Sequence, residues 1–358
     1  MKFIHIADLH FDSPFSTLKG DDYLIEKRKL EQRANLKKII DYIKKENVNY
    51  LFIAGDLYEN EYIKISTIEY INNLFKEIPT TKVFITPGNH DPNVKGSIYD
   101  TYEFANNVII FRNSYIEKYE DENIEIFGVG FNDFYMNKNP LEKFNFEKKN
   151  KFQVLLMHAD LNGSKDYNGL SYNPISEYEI KELNFDYVAL GHIHKNNFNK
   201  ESKIIYPGSL SSLGFDEQGN HGMVVGEFYD KYLQLNFEKV DETEFLELEA
   251  DITAMHSQGE LVDYLNTLYF DKNKFVKIIL IGKRKFLINV KDIINFIDNS
   301  NILRIKDETK LAYDVYELAK ENTLKGIFVR KLLEKQKEGF YTNEEILKAI
   351  EIGLDAMD

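Results

Sequence analysis

The sequence predicts an α/β fold, with a mixed sheet or two stacked sheets in its first part and a smaller α/β unit and helical tail behind. Three observations carry this. Over the first 240 residues, apolar strand-like runs alternate with periodic helix-like stretches, the pattern of an α/β core. Toward the end of that region, strand-like segments follow one another without helices, which calls for antiparallel additions to the sheet. After Val240 the runs become shorter and more polar, and the last stretch is helical throughout.

Taken in order, Lys2–Ala7 reads as a buried strand, Leu24–Glu46 as a long charged surface helix and Tyr50–Ala54 as a second strand. Ile65–Ile78 is a helix and Thr81–Thr86 a strand; Val108–Phe111 and Ile124–Val129 are shorter strands set apart by turns. Phe152–Met157 and Tyr187–Leu190 are apolar strands, and Ser202–Tyr206, Gly222–Glu227 and Leu233–Phe237 read as an antiparallel meander. Beyond Val240, Phe245–Leu248, a helix over Gly259–Tyr269 and Lys274–Ile281 suggest a β-α-β unit, with Val290–Asp298 as a further helix. In the tail, Leu324, Phe328, Leu332 and Leu333 share one helix face, and Ile346, Ile350 and Leu354 share a face of the next, with Thr342 as its N-cap. The expected divisions are residues 1–240, 241–310 and 311–358.

Composition narrows the chemistry. The absence of cysteine removes disulfides, thiolate metal sites and cysteine nucleophiles together. Met1–Ala7 runs straight into a strand pattern without the layout of a signal peptide, and no apolar run approaches the ~18 residues of a membrane span, so a soluble cytoplasmic protein is expected, with no membrane partner. The net charge of −14 counts against holding nucleic acid by charge alone. It leaves a nuclease open, because bound divalent cations or a basic partner offset it locally.

Five short motifs each follow an apolar strand: Asp8-Leu9-His10, Gly55-Asp56, Gly88-Asn89-His90-Asp91, His158 and Gly191-His192-Ile193-His194. Ligand sites in α/β sheets collect beyond the carboxyl ends of strands, so these segments are expected to meet at one rim. Asp8, His10, Asp56, Asn89, His158, His192 and His194 supply carboxylate, imidazole and amide donors of the kind that bind borderline-hard ions such as Mn²⁺. With one bridging carboxylate, these seven groups make four bonds to each of two divalent metal ions, leaving room for phosphate oxygens and water. His90 is left to protonate a leaving oxygen, with Asp91 placed to orient its ring. Singly, each motif is more often an ordinary turn or a core histidine; together and in this order they point to a two-metal phosphoesterase. His5 reads as a core residue, His221 as a surface turn residue rather than a substrate contact, and His256 has no partner pattern.

The ordered set of five motifs resembles the calcineurin-like metallophosphoesterase superfamily over residues 1–240. The resemblance implies a four-layer β-sandwich flanked by helices, with Asp8, His10, Asp56 and His194 on one metal, Asp56, Asn89, His158 and His192 on the other, Asp56 bridging, and His90 as the catalytic histidine. Asp8-Leu9-His10-Phe11-Asp12-Ser13-Pro14-Phe15, Tyr172-Asn173-Pro174-Ile175, Tyr206-Pro207-Gly208-Ser209-Leu210 and Gly214-Phe215-Asp216-Glu217 resemble the bacterial YhaO/SbcD-type branch of DNA repair exonucleases. That branch implies a Mn²⁺-dependent nuclease acting on DNA, a capping domain after the catalytic one, and C-terminal helices, here Thr323–Leu333 and Asn343–Leu354, that dock on an SMC-like ABC ATPase of the SbcC/YhaN kind; a homodimer is left open. The chain departs from related DNA-end nucleases in carrying Glu59 where they have a histidine three residues after the bridging aspartate. Two alternatives stand beside the nuclease: a small-molecule phosphodiesterase or phosphatase, which the acidic charge favours, and a non-catalytic scaffold for the ATPase, which the complete donor set disfavours.

Overall fold

The computed structural model describes residues 1–18, 21–163, 171–230, 232–312 and 314–357. The chain separates into two compact units, Met1–Glu244 and Phe245–Asp358.

The first unit runs β1 (Lys2–Ile6), a 3-10 turn (Ser16–Leu18), α1 (Asp22–Glu46), β2 (Tyr50–Ala54), α2 (Ile65–Lys76), β3 (Lys82–Thr86), α3 (Ile98–Thr101) and β4 (Val108–Ile110). It continues with β5 (Glu117–Glu120), β6 (Ile124–Val129), β7 (Phe152–His158), α4 (Glu177–Leu183), β8 (Tyr187–Gly191), β9 (Ile204–Ile205), β10 (Gly222–Tyr229) and β11 (Tyr232–Lys239). Two sheets result, in the orders β11-β10-β1-β2-β3-β4 and β5-β6-β7-β8-β9. β1 to β4 are parallel, as are β6 to β9, while β10 and β5 join antiparallel at the ends of those parallel runs.

Strand side chains alternate between faces, and that period of two builds the layers. Ile4, Ile6, Leu51, Ile53, Val83 and Ile85 point outward onto the apolar stripes of α1 (Leu36, Ile39, Ile40, Ile43) and α2 (Ile68, Ile71, Leu74, Phe75). Their neighbours Phe3, Tyr50, Phe52 and Phe84 point inward and meet Ile124, Ile126, Val154, Leu156, Tyr187 and Ala189 of the other sheet. The far face of that sheet, with Phe127, Leu155, Met157, Val188 and Leu190, packs on Ile180 of α4 and Phe185. The architecture is therefore helices, sheet, sheet, helix, the four-layer α/β sandwich that the resemblance implied. Both faces of the parallel strands are buried, which is why they read in sequence as unbroken apolar runs.

The expected meander is corrected. Ser202–Tyr206 contributes only β9, which lies parallel to β8 in the second sheet, whereas β10 and β11 form a hairpin on β1 of the first. Local apolarity marks a strand but says nothing of which sheet it joins. α3, α4 and β5 were not foreseen; each is too short to show a period, although Ser176 and Glu179 form a full capping box at the start of α4.

A buried polar cluster fastens the carboxyl end of this unit to α1. Arg28, fully buried, donates through Nη2 to Asp241 Oδ2 at 2.7 Å and to the Ser212 carbonyl at 2.9 Å. Asp241 also accepts from the Ser212 amide at 3.0 Å and from Asn35 Nδ2 at 3.2 Å.

The second unit comprises β12 (Glu244–Asp251), α5 (Gln258–Thr267), β13 (Lys274–Ile281), β14 (Lys283–Arg284), α6 (Val290–Phe296), β15 (Ile302–Asp307), β16 (Lys310–Leu311), α7 (Val315–Leu318), α8 (Leu324–Lys337) and α9 (Asn343–Asp355). Its larger sheet has the order β12-β13-β15, with β13 and β15 parallel, so the expected β-α-β unit gains the unforeseen strand β15, and β14 pairs with β16 in a separate two-stranded sheet. Ile346, Ile350 and Leu354 of α9 bury themselves against Val329 and Phe328 of α8, and Thr342 caps α9 as expected. Leu324 departs from the predicted stripe: it is exposed, as are Ile327, Phe340, Tyr341 and Ile352. Among the described residues no helix is long and apolar enough to cross a membrane.

Candidate metal centre

The five motifs do meet, but at a rim shared by two sheets. Asp8, Asp56 and Asn89 lie just past β1, β2 and β3 of the first sheet, while His158 ends β7 and His192 follows β8 of the second. The backbone is bent hard to bring them in. Asp8, His10, Asp56 and His192 all have positive φ, at 52°, 47°, 51° and 108°. Non-glycine residues adopt this region at a cost, and a cluster of them marks a site that the surrounding structure holds in place. The turn after β2 also needs its glycine: Gly55 has φ 85°, and a Cβ there would sit 2.2 Å from His158 Nδ1. The loops are laced together by backbone bonds from Leu9 and His10 amides to the Asp56 carbonyl, both 2.9 Å, and from the His192 amide to Asp8 Oδ1 at 2.9 Å.

Three imidazoles converge through Nε2. His10 Nε2 lies 3.0 Å from His194 Nε2 and 3.6 Å from Asp56 Oδ2; His158 Nε2 lies 3.3 Å from that same oxygen and 2.9 Å from Asn89 Oδ1. Each ring is fixed from behind, with Nδ1 facing Glu59 Oε1 (2.7 Å) for His10, Glu217 for His194 and the Ala54 carbonyl (3.0 Å) for His158. An acceptor at Nδ1 takes its N–H and leaves the Nε2 lone pair for the centre, the arrangement that orients metal-binding histidines. Donor atoms of Asp8, His10 and His194, and of Asp8, Asp56 and His158, each fall within 4.8 Å of one another. Asp8 is common to both groups, a third such group joins His10, Asp56 and His90, and Asp56 Oδ2 faces both His10 Nε2 and His158 Nε2. A divalent cation fits this donor set, since two imidazole nitrogens facing each other at 3.0 Å between buried carboxylates otherwise need a proton to hold them. His192 is present by its ring, 5.2 Å from that of His158 and edge-on, but its imidazole nitrogens are in none of the three close groups.

The electrostatics fit the same reading. Burial pushes the Asp8 carboxyl up to about 6, with the neighbouring Asp56 adding to the rise against the lowering effect of His194. Burial also acts to raise Asp56, yet His158, His10, His90 and the His90 amide together hold it well below the carboxylate range. Burial lowers His192 to about 4. In His90 and His194 burial opposes the charge, but the carboxylates of Glu59 and Glu217 lead the effects that raise both rings to about 9. Protons are therefore favoured on His90 and His194, each beside a glutamate, while burial keeps them off His158 and His192.

His90 differs from the others in being 45% exposed at its side chain. Its Nδ1 lies 2.9 Å from Glu59 Oε2, so one carboxylate holds both His10 and His90. Here the expected role of Asp91 is corrected. Asp91 is fully buried and turned away from His90, accepting from the amides of Gly88 (2.6 Å), Leu57 (2.7 Å) and Asp56 (3.1 Å) and from the Tyr99 hydroxyl (2.7 Å). It positions the two loops, and the carboxylate that orients His90 is Glu59. Adjacent residues on a tight turn point in different directions, and sequence adjacency does not say which way.

Sequence reasoning missed Glu59 and Glu217 as orienting groups. Glu59, three residues past Asp56, had a signal in that spacing; Glu217 lay in the Gly214-Phe215-Asp216-Glu217 motif, but nothing in it pointed to His194, 23 residues away. His221 is a further correction: it is buried, between Ser209 Oγ at 2.9 Å and the Glu217 carbonyl at 2.8 Å, and so braces the Glu217 loop instead of facing solvent. His5 is a core residue as read, buried with Nδ1 2.9 Å from the Tyr187 hydroxyl.

The profile of the calcineurin-like phosphoesterase family matches residues 1–196. Over 263 residues the chain is 25% identical to a Bacillus subtilis (strain 168) protein named uncharacterized metallophosphoesterase YhaO, covering 71% of this chain and 64% of that one. Over 250 residues it is 28% identical to the SbcD component of the nuclease SbcCD from Staphylococcus epidermidis, covering 61% of this chain and 63% of that one. The chain thus matches less than two thirds of the length of these relatives. A solved dimetal phosphatase from Danio rerio superposes with a TM-score of 0.39 at 13% identity, over 66% of this chain and 95% of that one. The family match takes in more than half of the residues, and the chain belongs to the calcineurin-like phosphoesterases, with YhaO and SbcD-type proteins among its relatives.

Proposed function

We propose that this phosphoesterase is a nuclease that hydrolyses phosphodiester bonds in DNA with two divalent ions, Mn²⁺ by the balance of its donors. The observation that carries the reading is the convergence of His10, His158 and His194 through Nε2 on either side of the Asp56 carboxylate, with a half-exposed histidine beside them. Asp8, His10, Asp56 and His194 would hold one ion, and Asp56, Asn89, His158 and His192 the other. When bound, such a pair supplies an activated water and neutralises the charge of the phosphoryl oxygens.

The chain's own residues do the rest. Glu59 takes the Nδ1–H of His90, so Nε2 is the atom that hands a proton to the departing sugar oxygen. The Glu59 carboxylate beside Nδ1 raises the ring's proton affinity against burial. Asp91 keeps His90 beside Asp56 through the shared loop amides, and the His90 amide itself donates to Asp56 Oδ1 at 2.9 Å. The Staphylococcus relative is named as one subunit of a nuclease, which supports a nucleic-acid substrate and a partner protein. In this reading the apolar side chains still exposed on the tail, Leu324, Ile327, Phe340, Tyr341 and Ile352, meet an SMC-like ATPase.

A second reading, a phosphodiesterase or phosphatase for small substrates, is favoured by the net charge of −14. The deciding experiment offers end-labelled single-stranded and duplex DNA with Mn²⁺, beside Asp56→Ala. Metal-dependent cleavage absent from the variant is expected. Intact DNA together with hydrolysis of bis(p-nitrophenyl) phosphate would move the assignment to small substrates.

A further inference from the structure

Beside His90 lies a cavity of about 330 Å³ whose walls include Glu59, Asn60, Asn89, Phe134, Tyr135 and Tyr172. Phe134 and Tyr135 leave 41% and 46% of their surface exposed. Two adjacent large aromatic side chains held in water at the mouth of a catalytic site call for a ligand with a flat apolar face. They stand on the stretch between β6 and β7, and that stretch is pinned. Met136 forms a bridge with Tyr172, the Asn173 amide donates to the Met136 carbonyl at 2.8 Å, and the Ser171 amide donates to Asn137 Oδ1 at 2.8 Å. The Tyr135 and Tyr172 rings meet at 5.9 Å, and Tyr172 lies 4.9 Å from the ring of His192. Asn173 Nδ2 donates to the His158 carbonyl at 3.1 Å. The aromatic wall is therefore held in register with two of the proposed metal ligands.

We propose that this cavity takes one unpaired nucleobase of the strand being cut, stacked on Tyr135 and Phe134, so that the enzyme acts on single-stranded or frayed ends in preference to paired duplex. The inference rests on the nuclease reading and adds its strand preference. The lining argues for a base in this place: Phe134, Tyr135 and Tyr172 line the cavity, and an uncharged base offers a π face to an aromatic ring. Continuity argues for it too, because His90, the proposed proton donor to the leaving oxygen, lines the same cavity. Volume argues for an unpaired base: the space is at the small end of ligand pockets, and a base in a duplex has its faces covered by its neighbours.

The test measures kcat/KM with Mn²⁺ on single strands whose bases are intact, or replaced over one segment by abasic tetrahydrofuran residues. Fully paired duplex and bis(p-nitrophenyl) phosphate are run alongside. Intact segments are expected to be cut about 5- to 150-fold faster than abasic ones, the ~1–3 kcal/mol of one base–aromatic stack at ~1.4 kcal/mol per factor of ten. The Phe134→Ala/Tyr135→Ala double variant should lose that ratio and Tyr135→Phe should keep it. Equal cleavage of intact and abasic strands, an unchanged ratio in the double variant, or a preference for duplex overturns this inference alone. Hydrolysis of bis(p-nitrophenyl) phosphate with no DNA cut overturns the nuclease reading, and this inference with it.

Discussion

Replacing Glu59 with Gln tests the arrangement of the centre most directly, because one carboxylate there serves two histidines. Its oxygens lie 2.7 Å from His10 Nδ1 and 2.9 Å from His90 Nδ1. Burial opposes its charge, yet the hydrogen bonds from those two rings lead the effects that hold it down at about 2, so both oxygens accept at neutral pH. A carboxamide has the same shape but only one accepting end. Its NH₂ would face the Nδ1–H of the other ring, which must then turn away or move its proton to Nε2. If His10 yields, its Nε2 lone pair is lost to the centre; if His90 yields, its proton is no longer aimed. A hydrogen bond to a charged group contributes ~1.5–3 kcal/mol, and loss of a group that orients a metal ligand costs about 10–100-fold in affinity or activity. Glu59→Gln should therefore lower either Mn²⁺ affinity, read by calorimetric titration, or turnover of bis(p-nitrophenyl) phosphate at saturating Mn²⁺, by about 10–100-fold. The split between the two identifies the ring that yields. If both quantities stay within about two-fold of the parent, far short of that loss, the shared-carboxylate reasoning is wrong.

Three further outcomes are expected. Asp56→Ala should bind neither ion, because one oxygen of its carboxylate faces both His10 and His158; elemental analysis that still finds two ions per chain would rule out a bridging role. His90→Asn should keep the ions and lose about 10²–10⁴-fold in turnover, the usual scale of acid–base assistance, and full turnover would remove His90 from the reaction. Asp241→Asn should destabilise the first unit by about 3 kcal/mol in urea unfolding, the lower end for breaking a buried pair, since Arg28 keeps the Ser212 carbonyl. Asp241 is held below its ordinary value by Arg28 despite burial, so its contribution is complete above the unfolded carboxylate pKa of ~3.9 and fades as pH falls through the depressed folded value. The gap in stability between parent and variant should therefore shrink only below about pH 4; a gap that closes between pH 5 and 7 would contradict the pairing.

Much of the molecule was legible in the chain alone. Tyr50–Ala54, Ile124–Val129 and Lys274–Ile281 coincide with their strands, and the other long elements shift by a few residues at their ends. Local chemistry suffices there: an apolar run bounded by turn residues has few other places to go, and a helical stripe declares its own period. The candidate donors were legible for a related reason, since each sits at the end of a strand, where a loop must open on the rim. What only the tertiary structure decided is pairing and direction. Ile204–Ile205 joined the second sheet and its sequence neighbours the first, because strand partners are chosen by packing across the whole sandwich. Asp91 turned toward backbone amides while Glu59 reached both His10 and His90, and Glu217 arrived at His194 from 23 residues away. A side chain's chemistry is written in its residue type, but the group it faces depends on φ and ψ at its own turn and on how distant loops are stacked.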